Sequence, residues 1–162
     1  MGNKVQKTHQ TQQTRILALD LHPRGFGYVV MENPSHLLDW GVQRSHRKTK
    51  QHPGVNIGGK LRSLLAVWMP DVVVTRIEDH RQKDLQPLFR QIKKEVGEMA
   101  FLLIRGSRQH YPGRGKYERA VELAARFPEI GWKLPPKRKP WESENYSMTI
   151  FEALGVALTC VS

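Results

Sequence analysis

Between Arg15 and Gln43 three β-type runs follow one another with almost nothing between them. Ile16-Leu17-Ala18-Leu19 is a nearly continuous apolar run that closes on Asp20, which suits a strand buried on both faces. His22-Pro23-Arg24-Gly25 reads as a turn. Phe26 to Glu32 follows as a second strand and, after Asn33-Pro34-Ser35, Leu37 to Gln43 as a third. Connections this short allow only antiparallel neighbours, because a parallel pair needs a crossover of about a dozen residues.

The periodicity then changes. Val55 to Trp68 carries apolar residues at helical spacing and is stopped by Pro70. Asp71 to Glu78 is a β-branched strand that finishes in an acid. Pro87 to Met99 is predicted helical, Ala100 to Ile104 a short strand, and Tyr117 to Phe127 helical again. Leu134 to Trp141 holds three prolines and must be extended. Tyr146 to Thr159 closes the chain as a last helix. The order βββ-α-β-α-β-α-α predicts an α/β fold, a mixed five-stranded sheet with helices on its faces. Residues 1–14 are polar and aperiodic and read as a disordered tail, leaving 15–162 as one domain.

Composition narrows the partner. Twenty-six Lys and Arg stand against fifteen Asp and Glu, a formal charge of +11, and such a surface attracts polyanions, nucleic acid first among them. No apolar run approaches the ~18–20 residues of a membrane span, so no membrane partner is expected and the expected compartment is the cytoplasm. A single cysteine, Cys160, excludes an internal disulfide and a cysteine-built zinc site. Candidate phosphate contacts are Arg47, Lys48 and Lys50 in the loop after the third strand, Arg81 after the fourth, and Arg105, Arg108, Arg114 and Lys116 in a glycine-containing basic loop. Trp141 beside Lys137-Arg138-Lys139 reads equally as a stacking aromatic or as a residue packed under the last helix. Gly54 to Leu61 nearly matches a phosphate loop but fails at Leu61, which has no hydroxyl to offer a metal.

Three acids fall where this topology can gather them: Asp20 ends the first strand, Glu78 ends the fourth, and Glu152 lies in the last helix. Ligand sites of open α/β sheets sit at the carboxyl ends of strands. A carboxylate at the edge of an apolar sheet is costly unless it is paired or binds a cation. Clustered carboxylates suit a hard divalent ion, Mg²⁺ or Mn²⁺, and two such ions can hydrolyse a phosphodiester. The plainer alternative makes Asp20 a turn former and Glu152 a helix-surface residue, although Glu152 sits on a flank of the apolar stripe.

Taken together, RILALDLHPRGFGYVVMENPSHLLDWGV (15–42), PDVVVTRIED (70–79) and FEALGVAL (151–158) resemble the three motifs of RuvC-like Holliday junction resolvases of the RNase H-like superfamily. The resemblance implies an RNase H-like fold and a Mg²⁺-dependent (or Mn²⁺-dependent), structure-specific endonuclease that acts on branched DNA as a homodimer. It makes Asp20, Glu78 and Glu152 the catalytic acids and metal ligands. Two positions depart from the family pattern: Glu152 stands where the resolvases have Asp, and Thr149 stands where they carry a second Asp or a His. Glu142 and Glu144, just before the last helix, are candidates to compensate, but at ~1.5 Å per helical residue Glu144 would lie some 12 Å from Glu152 along the axis, which favours a helix-dipole role for it. Two other readings stay open, a nucleic-acid-binding module that has lost part of its metal site and an RNA-processing nuclease.

Overall fold

The computed structural model describes residues 13–44, 57–77, 82–105 and 115–161. The first three strands, β1 (Ile16–His22), β2 (Gly25–Asn33) and β3 (His36–Arg44), pair antiparallel in succession. Helix α1 (Ile57–Trp68) leads to β4 (Val72–Ile77), which lies parallel to β1. Helix α2 (Gln82–Val96) leads to β5 (Ala100–Arg105), parallel to β4. The sheet order is β3-β2-β1-β4-β5. Helix α3 (Lys116–Arg126), a 3-10 turn (Pro128–Lys133) and α4 (Met148–Val161) complete the described chain. This is the mixed five-stranded sheet with flanking helices that the sequence predicts.

Strand alternation divides the core in two. Ile16 and Ala18 of β1, with Val29, Met31, Val72 and Val74, pack on Ile150, Phe151 and Leu154 of α4. Leu17, Leu19 and Leu21, with Phe26, Val30 and Val73, pack on Leu61 and Leu64 of α1 and on Leu85, Leu88 and Ile92 of α2. β1 is thus buried on both faces, as its continuous apolar run requires. Where α4 covers the sheet, Thr75 sits on the opposite face and donates its hydroxyl to the Leu19 carbonyl at 2.8 Å, which satisfies a buried polar group inside the sheet.

Some boundaries move for local reasons. α2 begins at Gln82 with Pro87 inside it, instead of beginning at Pro87. Leu85 is buried one turn before Leu88 and Phe89, so the apolar face extends beyond the proline and its burial outweighs one missing backbone bond. α4 begins at Met148. The Asn145 side chain accepts from the Ser147 amide at 2.9 Å and the Tyr146 carbonyl accepts from the Thr149 amide, so 145–147 form a turn rather than helix. No helix among the described residues is long and apolar enough to cross a membrane.

Candidate functional site

Asp20 shares the parity of Ile16 and Ala18 and therefore rises on the α4 face, half-buried at the carboxyl end of β1. Its backbone partner in β2 is Gly27. The first turn of α4 presses on that glycine. A Cβ placed there would lie 2.2 Å from Thr149 Oγ1 and 2.5 Å from the Thr149 carbonyl carbon. The missing side chain is what brings the start of α4 beside Asp20.

A cleft of about 480 Å³ opens at this point. It is lined by Asp20 and His22 of β1, by Pro23 and Arg24 of the β1–β2 turn, and by Leu85 of α2. The lining is completed by Lys116, the first residue of α3, with Glu144, Asn145, Tyr146 and Thr149 leading into α4. Lys116 Nζ lies 2.7 Å from Glu144 Oε1. Tyr146 ties three elements together: the Arg44 guanidinium at the end of β3 stacks 3.5 Å above its ring, and the His22 ring lies 5.4 Å away. An arginine stacked in this way directs its in-plane donors away from the ring face. A second hollow of about 640 Å³ shares Lys116, Glu144 and Asn145 with the first and runs along Lys137, Arg138 and Trp141. Glu118 on its rim has its carboxyl held below the usual range, chiefly by a backbone amide and further by Lys137, 3.5 Å away.

The predicted site residues fall in three groups. Asp20 and Lys116 share the cleft. Glu152 is on α4 one turn beyond Thr149, buried at 7 % exposure. Its Oε2 accepts from Arg76 of β4 at 2.7 Å and its Oε1 from Arg119 of α3 at 3.3 Å. Glu78, Arg47, Lys48, Lys50, Arg81, Arg108 and Arg114 lie outside the described residues, and of Arg105 the structure describes only the backbone, paired with Ile77 at the end of β5. Trp141 is 78 % exposed and does not pack under the last helix.

Three cleft residues carried no role in the sequence reading, Arg24, Asn145 and Tyr146, and Glu144 carried a different one. The sequence reading placed Glu144 just before the last helix and gave it to the helix dipole. In the structure Glu144 lines the cleft together with Asp20 and pairs with Lys116. The Ser-Glu-Asn stretch just before the last apolar stripe was the available signal for the turn at 145–147, since Asn favours turns over helix.

Among the described residues no three His, Cys, Asp or Glu side chains converge as a metal site. Both oxygens of Glu152 already face guanidinium groups. Glu78, the third acid of the predicted set, lies outside the described residues.

No protein-family model matches the sequence, and no curated protein does. Among solved structures, Thermus thermophilus RuvC in complex with a Holliday junction substrate superposes with a TM-score of 0.59 at 16 % identity, covering 90 % of this chain and 91 % of that one. The Fowlpox virus resolvase in complex with Holliday junction DNA gives 0.59 at 12 % identity, covering 90 % and 97 %. A second Thermus thermophilus RuvC structure gives 0.55 at 15 %, covering 90 % and 92 %. The chain has the RuvC-like, RNase H-like α/β fold across nearly all of its length. At these identities the likeness is one of fold.

Proposed function

We propose that this chain is a resolvase-like endonuclease that binds branched DNA and hydrolyses a phosphodiester at the Asp20 cleft. The observation that carries the reading is the placement of Asp20, a carboxylate at the carboxyl end of a central strand, in a cleft that also presents Lys116 and Arg24. The net charge of +11 supports a polyanionic substrate, and both resolvase complexes of the same fold hold Holliday junctions. In this reading Lys116 and Arg24 donate to the non-bridging oxygens of a phosphate, which neutralises charge on the group under attack. Asp20 accepts a hydrogen bond from the attacking water and orients it. The reading includes a requirement for Mg²⁺ or Mn²⁺, with Asp20 and Glu78 as its acids on the strength of the motif resemblance. It also includes backbone contacts from the basic residues at 47–50, 81 and 105–116, a homodimer that cuts two strands, and action in the cytoplasm.

One observation favours a second reading. A helix carboxylate engaged by two arginines, with Thr149 one turn before it, is what a nucleic-acid-binding module without catalysis would carry. The purified chain incubated with a labelled four-way junction, linear duplex and structured RNA, each with Mg²⁺, Mn²⁺ or EDTA, separates the two. Metal-dependent nicking of the junction in preference to duplex and RNA is the expected result. Tight, salt-sensitive binding without cleavage under any metal establishes the binding module, and preferential cleavage of RNA overturns the choice of substrate.

A further inference from the structure

The last of the three motif acids is bound to protein cations, not turned toward the cleft. Glu152 is almost fully buried, and its two oxygens are divided between two guanidinium groups, Arg76 at 2.7 Å and Arg119 at 3.3 Å. Both arginines are themselves largely covered, with side-chain exposures of 22 % and 15 %. The three residues come from β4, α3 and α4, and each lies one step behind a position near the cleft. Glu152 is a turn beyond Thr149, Arg119 is a turn beyond Lys116, and Arg76 follows Thr75, whose strand partner is Leu19, the residue before Asp20. Glu152 itself does not line the cleft.

A divalent ion on this carboxylate would stand a few Å from two guanidinium groups in poorly solvated surroundings, where like charges repel strongly. Turning the carboxylate away to meet the ion would break both of these ion pairs in largely covered surroundings. Building on the nuclease reading above, we infer that Glu152 lies outside the metal-ligand set and holds Arg76 and Arg119, so that α3, α4 and β4 are locked together behind the cleft. The metal is then met without Glu152, and the helix motif keeps its acid for a different task.

The test is Mn²⁺ binding by the full-length chain, read from the loss of the free-ion EPR signal, in wild type, Asp20→Asn, Glu152→Gln and Arg119→Gln. The expected result is a dissociation constant at least tenfold weaker in Asp20→Asn and within twofold of wild type in Glu152→Gln, with unchanged stoichiometry. Arg119→Gln covers the case in which Glu152→Gln does not fold, because it releases Oε1 while leaving the carboxylate charged. It too is expected within twofold of wild type. A tenfold loss or a missing ion in Glu152→Gln, or a tenfold gain in Arg119→Gln, overturns the inference and leaves the nuclease reading intact. A wild-type chain that binds no Mn²⁺ overturns both.

Discussion

The contact between α4 and the sheet at Gly27 can be broken by a single methyl group. In Gly27→Ala the new Cβ meets Thr149 Oγ1 at 2.2 Å, and the Thr149 Cβ and carbonyl carbon each at 2.5 Å. Two of these atoms move only with the helix backbone. Restoring ordinary contact at about 3.4 Å or more displaces the first turn of α4 by roughly 1 Å. Ile150 and Phe151, buried in the same turn, are carried with it. Overpacking of this kind costs ~1–3 kcal/mol, partly offset by the ~0.4–1 kcal/mol an alanine removes from unfolded-state entropy. The expected net loss is about 1–2 kcal/mol, a fall in Tm of roughly 2–8 °C for a domain of this size, read by differential scanning calorimetry. The double variant with Thr149→Ala discriminates further, because it removes Oγ1 but leaves the Cβ and the carbonyl carbon. Little rescue is expected. A Tm within 1 °C of wild type, or full rescue by Thr149→Ala, refutes the backbone contact that places α4 beside Asp20.

Three further outcomes follow from the same structure. Tyr28 is buried and faces the Asp39 carboxylate, so burial first and Asp39 second push its phenol up to about 12. The folded state then holds the proton more tightly than the unfolded chain. Stability is fully present below about pH 10 and falls through pH 12 by roughly 2 kcal/mol; Tm measured from pH 9 to 12 should show the fall, and Tyr28→Phe should flatten it. Lys116→Ala should weaken DNA binding across sequences and reduce the slope of log K against log salt by about 1, whereas an unchanged slope removes Lys116 from the phosphate contacts. Trp141→Ala should leave Tm unchanged to within about 0.5 kcal/mol of stability, since the side chain is exposed; a large fall would contradict its position on the surface.

The strands were legible because their signals are local. Ile16–Leu19 is apolar at every position, and three runs joined by turns of a few residues have only one way to pair. Asp20 stood out because it interrupts that run. The environment of Glu152 was not legible, because its partners are contributed 76 and 33 positions away along the chain, and nothing near residue 152 announces them. That Glu144 lines the same cleft as Asp20 was not legible either, because the contact is made across the fold. The extra turn at the front of α2 was hidden for a related reason, since Pro87 reads locally as a helix start while Leu85 is buried only by the tertiary contact.

The central claim, that Asp20 is the catalytic carboxylate of a DNA-cleaving cleft, is tested most directly by comparing wild type and Asp20→Asn on a labelled four-way junction with Mg²⁺, with binding measured in parallel. The expected result is nicking by wild type, none by Asp20→Asn, and junction affinity retained in the variant. Cleavage by Asp20→Asn at the wild-type rate would contradict it.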